Sequence, residues 1–400
     1  MRKINYTYII IVLIIGLFFN CKEPFDIESI DFINAFVVES TITNELKFQQ
    51  VKITKTYTLD SQEPEYENNA SVWIEDNFGS SYSFIQNEEG IYISEQEFQA
   101  LQDRLYQLFI ITQDGGQYKS TRIELAPNSE ITNLYAESST KNNGEIGVQV
   151  YLDSDNENSD AQYFRYEYTE TYKIIAPEWH HRDIIIENFR SDIDEGFKYD
   201  IIILPREQEE RICFKTINSL GVIQTSTNDL EENKIYRFPI IFINKNSSVL
   251  RDRYSILVKQ YTQSIEAYTY YKMINDLGDS GSILSPNQPG FVQGNISSET
   301  NKNEKVLGYF DVSNVDSKRI YFNYADFTNL QPPYEYSCDK LILNYYQYEQ
   351  PNEREKLYQR VTDFNYKLRG VAGSVYTIVK PQCGDCTTIA SNIRPEFWED

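Results

Sequence analysis

The chain has 400 residues, and its 60 Asp and Glu residues outnumber its 37 Lys and Arg residues, which gives a formal net charge of −23. So acidic a chain lacks the basic face that nucleic acids and anionic lipid surfaces require, and both are excluded as partners. With 32 Tyr and 22 Phe the chain is too aromatic to be disordered, and its length predicts two or more domains that are mainly β.

The first 21 residues predict a signal peptide that ends at a lipid-modified cysteine. Arg2 and Lys3 form a basic start, residues 9–19 are an unbroken apolar run, and Cys21 stands where a cleavage site belongs. The run is short for a membrane span, so a retained transmembrane anchor is the weaker interpretation, and plain secretion is the main alternative. We expect residues 1–20 to be removed, which leaves a charge of −25, and Cys21 to carry acyl chains such as palmitate.

Residues 21–30 are predicted to be a polar tether between the lipid and the fold. Lys22-Glu23, directly after Cys21, resembles the export signal that sends Bacteroidota lipoproteins to the outside of the outer membrane. An ordinary charged spacer is the alternative interpretation of these two residues. The expected location is therefore the outer membrane, with the lipid-anchored chain facing the cell exterior.

Residues 31–127 are predicted to form an immunoglobulin-like β-sandwich. Short runs with a two-residue period alternate with polar turns, which is typical of antiparallel sheets. Asp114-Gly115-Gly116 supplies the positive φ angles of a tight hairpin, whereas the Cys-Trp-Cys hallmark of immunoglobulin domains is absent. The predicted strands are Phe32 to Val38, Val51 to Thr58, Ser71 to Ile74, Tyr82 to Phe84, Ile91 to Ile93, Tyr106 to Thr112 and Tyr118 to Leu125.

Residues 128–400 are predicted to form a larger β-rich domain with one or two helices and a disulfide-linked tail. One helix is expected from Ile265 to Leu277, capped by Ser264, and a second from Asn352 to a stop at Gly370. The predicted strands are Ile131 to Leu134, Gly147 to Leu152, Phe164 to Ile174, Arg211 to Ile217, Ile235 to Ile243, Tyr254 to Tyr261, Lys305 to Val312, Lys318 to Tyr324, Leu341 to Tyr348 and Ser374 to Val379.

The five cysteines leave four that can pair once Cys21 is lipidated. These are Cys213, Cys338, Cys383 and Cys386, and outside the cytoplasm structural disulfides are the expected state, with three connectivities possible. A four-cysteine zinc site and a redox dithiol at Cys383-Gly384-Asp385-Cys386 are the alternatives. A redox dithiol places its first thiolate at a helix N-terminus after a strand in an α/β fold, whereas here a polar tail follows and Pro395 interrupts it.

Two other motifs suggest chemistry that their surroundings do not support. Gly278-Asp279-Ser280-Gly281-Ser282 looks like a serine-protease nucleophile loop, but the only histidines are the neighbours His180 and His181. Two adjacent histidines on an extended chain diverge and rarely chelate one metal ion. We therefore predict no catalytic residue, no cofactor and no metal at these motifs.

Four closely spaced carboxylates are the candidates for a calcium site. Asp153, Asp155, Glu157 and Asp160 alternate as calcium ligands do, but the central Gly and the final bidentate Glu of an EF-hand loop are missing. A solvated hairpin between two strands is the alternative interpretation of this segment.

The Cys21 leader and seven further stretches spread over the mature chain carry one resemblance. The seven are Phe36-Val37-Val38-Glu39, Tyr254 to Tyr261, Ala267-Tyr268, Gly294-Asn295-Ile296, Val306 to Phe310, Lys318-Arg319-Ile320, and the tail from Cys383 through Arg394 to Trp398. Together they resemble one family, the Bacteroidota outer-membrane lipoproteins known as domain of unknown function 4249. Members are usually encoded beside a TonB-dependent outer-membrane receptor, so the resemblance implies a location and a partner but no reaction.

The expected function is that of an accessory or ligand-capture subunit of a TonB-dependent nutrient transporter, without enzymatic activity. A surface hydrolase that uses paired carboxylates and a structural or adhesive surface protein are the alternatives. A deep pocket with two inward carboxylates would favour the hydrolase, whereas a broad aromatic face near the lipid end would favour a protein partner. The bound ligand cannot be identified from the sequence.

Overall fold

The computed structural model describes residues 35–56, 64–88, 90–192, 196–279, 292–349 and 352–400. The prediction of a mainly β protein is confirmed, because strands dominate these ranges. The first strands are Phe36–Thr43 (β1), Gln50–Lys55 (β2), Glu65–Tyr66 (β3), Ser71–Asp76 (β4), Ser81–Gln86 (β5), Tyr92–Ser94 (β6), Leu105–Ile111 (β7), Gln117–Ser120 (β8) and Ile123–Glu124 (β9).

The middle of the chain continues with longer strands and the first helix. These elements are Ile131–Thr140 (β10), Ile146–Asp155 (β11), Tyr163–Ile175 (β12), Arg182–Asp192 (β13), Gly196–Pro205 (β14), Ile212–Asn218 (β15), Ile223–Ser226 (β16), Lys234–Asn244 (β17), Arg253–Thr262 (β18) and the helix Ile265–Asp279 (α1). The last elements are Ile296–Ser298 (β19), Val306–Ser313 (β20), Val315–Asn323 (β21), Leu341–Asn344 (β22), Glu353–Thr362 (α2), Lys367–Ala372 (β23), Val375–Val379 (β24) and Pro381–Gly384 (α3).

The nine N-terminal strands, together with β19 and β20, form one 11-stranded sheet, which we call the curled sheet. Its order is β19-β8-β7-β4-β5-β6-β2-β1-β20, with β3 paired to β2 and β9 paired to β7. Alternate residues face inward, as with Val51 and Ile53 of β2, and fill one core. The Asn295 side chain links the two end strands, because its Nδ2 donates to the Phe310 carbonyl at 2.8 Å and its Oδ1 accepts from the Phe310 N–H at 2.8 Å.

The curled sheet is more extensive than the predicted seven-stranded sandwich. Each of the seven predicted strands overlaps an observed strand, but β19 and β20 come from beyond residue 127, and β20 pairs in parallel with β1. The division of the chain at 127/128 stays a prediction, and the sheet crosses it. The physical reason is a long-range pairing, in which Phe36 lies opposite Val306.

The central body consists of two sheets that share one core. One sheet has the order β15-β12-β18-β21 with β16 on β12, and the other has the order β10-β11-β17. Their inward side chains, such as Val150 and Leu152 of β11 and Ile256 and Val258 of β18, belong to the same buried cluster. Each strand predicted in this region overlaps an observed one.

The central body contacts the curled sheet near Asn44, at the opposite end of β1 from Phe36, where the described chain enters the sheet. β1 starts at Phe36 and runs towards Asn44, whose side-chain Oδ1 accepts from the Val315 N–H at 2.8 Å. Lys259 Nζ of β18 lies 3.3 Å from a carboxylate oxygen of Glu45. The first described residues of the curled sheet and its contact with the central body therefore lie at opposite ends of β1.

The C-terminal module combines the hairpin β13–β14, the helix α2 and the sheet β22-β24-β23. The second predicted helix starts as expected, because the Asn352 side chain accepts from the Glu355 N–H at 3.0 Å. Its predicted end at Gly370 is wrong. Asn365 adopts a left-handed φ of 52° that stops the helix earlier, and Leu368 lies in β23.

The first predicted helix is confirmed and runs from Ile265 to Asp279. The Ser264 hydroxyl accepts from the Ala267 N–H at 3.2 Å, as an N-cap should, and Ala267 and Tyr270 are buried. None of the helices in the described ranges has the length and the apolar character that a membrane crossing needs.

Candidate functional site

A groove of about 870 Å³ lies between the curled sheet and helix α1. One wall is the chain segment 121–127, which follows β8 and includes β9. The other wall is the solvent side of α1, where Ile265, Thr269 and Met273 recur at a spacing of four residues and so share one helix face. The volume lies in the range of small-molecule sites, and apolar groups line much of the groove.

Two glycines allow three backbone segments to meet at the floor of the groove. A Cβ atom on Gly294 would lie 1.6 Å from the Gly308 carbonyl oxygen, and one on Gly308 would lie 1.8 Å from the Val38 carbonyl oxygen. Gly308 also has a φ of +108°, which L residues rarely adopt. The Gly308 N–H donates to the Tyr270 hydroxyl at 3.0 Å, so the helix is attached to the same point.

We expect the substitution Gly308→Ala to lower the free energy of unfolding by about 3 kcal/mol or more, because it combines backbone strain with a backbone clash. Gly115→Ala is the matched control, since Gly115 has a φ of +91° but open space around it, and it should cost only about 1–2 kcal/mol. Chemical denaturation of both variants measures the difference. Equal decreases in the free energy of unfolding of the two variants would show that the close backbone approach at Gly308 does not contribute to the effect.

Polar groups line the groove at a few defined points. Tyr309 forms part of its floor, and burial raises the pKa of this phenol to about 12, so it stays a neutral hydrogen-bonding group. Burial also raises the pKa of Tyr270. Arg122, Glu124 and Glu266 stand at the wall and are the charged groups among its lining residues. The groove can thus hold a ligand with an apolar body and a few polar groups.

A buried carboxyl, Asp311, and a buried guanidinium, Arg165, interact electrostatically behind the groove. Asp311 of β20 is fully enclosed, and burial raises the pKa of its carboxyl, although nearby Arg165 of β12 opposes the rise. The Arg165 guanidinium lies 4.5 Å from the ring centre of Tyr261 and 5.1 Å from that of Tyr271 on α1. The Asp311 carboxylate accepts from the Ser313 hydroxyl at 2.9 Å and from Gln263 Nε2 at 3.5 Å, and because it has almost no exposure it cannot reach a substrate.

The disulfide prediction is confirmed, with the connectivity Cys213–Cys386 and Cys338–Cys383. Both bonds join the segment that follows β24, at Cys386 and Cys383, to earlier parts of the chain, with sequence separations of 173 and 45. All four sulfurs are engaged in these bonds, so neither the zinc site nor the redox dithiol has a free thiolate.

The tail after Cys386 crosses the central sheet from β15 to β21. Phe214 of β15 forms a backbone bridge with Ser391, and Trp398 is buried with its ring 4.9 Å from that of Phe214. At the other edge, the Tyr321 hydroxyl donates to the Phe397 carbonyl. The Arg394 to Trp398 motif therefore has a structural role, because Arg394 Nη2 also donates to the Trp398 carbonyl at 2.9 Å.

The calcium candidates are engaged in other contacts. Lys234 Nζ lies 2.9 Å from a carboxylate oxygen of Glu157 and 3.7 Å from one of Asp155, and Asp153 accepts from the Arg237 N–H at 2.7 Å. Asp160 is exposed. In the part of the chain that the structure describes, no group of three or more His, Cys, Asp or Glu residues is arranged to hold a metal ion.

The remaining motifs do not form a catalytic arrangement in the described ranges. The rings of His180 and His181 pack against each other with centres 4.4 Å apart, and burial lowers the pKa of His180. The residues 280–282 of the protease-like loop, together with Cys21 and the tether, lie outside the described residues. The groove residues had no predicted role, although Gly294, Asn295 and Gly308 belong to the stretches that carry the family resemblance.

The fold and the groove define a multi-sheet β protein with a ligand-sized groove and a tail fixed by disulfides. The chain belongs to the family of the domain of unknown function DUF4249, whose family model matches residues 22–319. The match therefore includes the curled sheet, the groove, most of the central body and the hairpin β13–β14, and it ends before the helix α2 and the sheet β22-β24-β23 of the C-terminal module. No curated protein matches the chain.

Two solved structures show only weak likeness. One is a chain from a structure of manganese lipoxygenase of Gaeumannomyces graminis and part of zonadhesin of Komagataella pastoris, with 9% identity, coverage of 73% of this chain and 97% of that chain, and a TM-score of 0.16. The other is the B domain of a biofilm-associated protein, with 6% identity, coverage of 71% and 86%, and a TM-score of 0.13. Both TM-scores are too low to relate the folds.

Proposed function

We propose that the protein is a surface-exposed outer-membrane lipoprotein that captures a ligand for a TonB-dependent transporter. The observation that carries the ligand-capture role is the groove of about 870 Å³ between the curled sheet and α1. The leader that ends at Cys21 supports the lipid anchor, and the family resemblance supports the transporter as the partner. The mature charge of −25 disfavours nonspecific adsorption to anionic surfaces.

The groove favours binding over catalysis because its carboxylates are solvated. Glu124 and Glu266 are both exposed, whereas a carboxylic acid that serves as a general acid near neutral pH needs burial to raise its pKa. The pair Asp252 and Glu335 does line a cavity, and burial raises the pKa of Asp252. That cavity has only about 120 Å³, which is too small for a sugar chain or a peptide.

We expect Met273→Trp to weaken ligand binding in the groove roughly tenfold or more, because the larger ring occupies the space between the walls. Met273 is 42% exposed, so the substitution should leave the fold intact. Lys272→Trp is the matched control on the same helix, since Lys272 does not line the groove and its side chain is 57% exposed. The measurement is calorimetric titration with anilinonaphthalene sulfonate, followed by competition with peptide and glycan libraries.

Three outcomes would contradict the proposal. The first is equal binding by the Met273→Trp and Lys272→Trp variants, which would place the ligand elsewhere. The second is cleavage of library members by the purified chain, which would support the hydrolase alternative. The third is recovery of the tagged lipoprotein alone from gently solubilised outer membranes, which would remove the transporter as a stable partner.

A further inference from the structure

The outer face of the curled sheet carries a set of neighbouring apolar side chains, which we call the apolar band. Register places Ile93 of β6 opposite Ile85 of β5, and Trp73 of β4 opposite Phe109 of β7. Ile111 of β7 continues the first of these two rows, with only the small Ser71 between it and Ile85. Directly opposed residues on one sheet face lie about 5 Å apart and diagonal neighbours about 7–8 Å apart, which is within reach of a Trp or Phe ring, so the two rows form one set of neighbouring side chains.

The apolar band faces solvent and not the core of the sheet. Ile85 is 60% exposed and Ile111 is 36% exposed, while Trp73, Phe109 and Ile93 are half-buried. The rings of Trp73 and Phe109 stack with centres 5.3 Å apart and planes at 9°. Isolated apolar residues are normal on a protein surface, but a contiguous set that includes a Trp and a Phe is typical of the centre of a protein interface.

The rim of the apolar band is charged and polar. The exposed Glu75 lies beside Trp73 along β4, and Lys119 of β8 lies opposite Phe109, where it pairs with Glu299 at 2.8 Å. An apolar centre with a charged rim is the usual anatomy of a specific protein interface. A second copy of this chain is a poor occupant, because two chains with a charge of −25 each repel one another.

The position of the apolar band relative to the anchor selects the kind of partner. The chain enters at Phe36, and the eight residues of β1 span roughly 26 Å towards the central body. The 14 residues from 21 to 34 can span at most about 50 Å. The curled sheet, which carries the band, is therefore the part of the molecule that is nearest the anchor. A neighbouring protein in the same membrane can reach the band there.

We infer that the apolar band is the docking surface for a membrane-embedded protein that presents an uncharged apolar patch just above the bilayer. The inference rests on the proposed function, which supplies such a partner, and it adds the surface of contact. The lipid surface is a poorer occupant because the band has the carboxylates of Glu75 and Glu299 at its rim, which an anionic or hydrocarbon surface disfavours. Trp73 and Phe109 are the expected anchors of the contact.

The test is photocrosslinking in the native cell with the full lipidated chain. A photoreactive phenylalanine replaces Ile85 or Phe109 in the apolar band, and Tyr236 serves as the matched control because it is 78% exposed and lies on β17 in the central body. We expect the two band positions to give one discrete adduct that mass spectrometry identifies as an outer-membrane β-barrel protein. The control position should give none.

A paired variant makes the test quantitative. Trp73→Ser combined with Phe109→Ser should lower the yield of the adduct from Ile85 at least thirtyfold, with an unchanged denaturation midpoint. A band adduct with a second copy of the chain or with lipid overturns the inference. An adduct only from Tyr236 overturns the inference but leaves the proposed partner in place, whereas no adduct at any position counts against both.

Discussion

Replacing both Cys213 and Cys386 with Ala is expected to lower the free energy of unfolding by about 5 kcal/mol. The bond closes a loop with a sequence separation of 173, and in the chain-entropy model the stabilisation grows with the logarithm of that length. The same variant loses the covalent start of the tail that crosses the central sheet. We therefore expect the residues after 386 to become sensitive to protease while the curled sheet stays protected.

The second disulfide provides the control for this prediction. Replacement of Cys338 and Cys383 opens a loop with a separation of only 45 and should cost about 4 kcal/mol, while the tail stays attached through Cys386. Limited proteolysis with mass spectrometry, alongside denaturation of both variants, separates the two effects. An intact tail in the Cys213/Cys386 variant would show that Trp398 and the Ser391 bridge hold the tail without the disulfide.

Strands that alternate strictly were predictable, because burial on one face leaves a period of two in the sequence. The hairpin β13–β14 escaped this criterion, since Ile184-Ile185-Ile186 and Ile201-Ile202-Ile203 are continuous apolar runs. In the structure Ile184 is buried, whereas Ile185 is 43% exposed, so the hairpin has one face on the C-terminal module and an apolar outer face. The sequence signal that could have predicted this hairpin is the pair of β-branched runs on either side of Gly196.

Features that depend on distant pairs could not be predicted from local patterns. The curled sheet pairs Phe36 with Val306, and the groove combines segments near residues 121–127, 264–273 and 293–295. The calcium interpretation did not include Lys234, whose ammonium group lies beside the Asp155 carboxylate although it comes almost 80 residues later in the sequence. The number of disulfides followed from the cysteine count, but their connectivity followed only from the tertiary structure.

The substitution Cys21→Ser is expected to move the protein from the membrane fraction to the soluble fraction. Each buried methylene of an acyl chain contributes about 0.8 kcal/mol, so loss of the lipid removes nearly all of the affinity for the bilayer. The strongly acidic surface provides no electrostatic substitute.

The same substitution should weaken the complex with the membrane partner by roughly a hundredfold or more, although Cys21 lies outside the apolar band. An anchored chain searches only the membrane plane, and this confinement raises its effective concentration for a protein in that plane. Ligand binding in the groove should stay unchanged, because it needs neither the lipid nor the partner. Fractionation, photocrosslinking from Ile85 and calorimetry on one preparation therefore separate the three roles. A Cys21→Ser chain that still fractionates with membranes and still crosslinks at the original yield would mean that the contact at the apolar band, and not the lipid, holds the protein at the membrane.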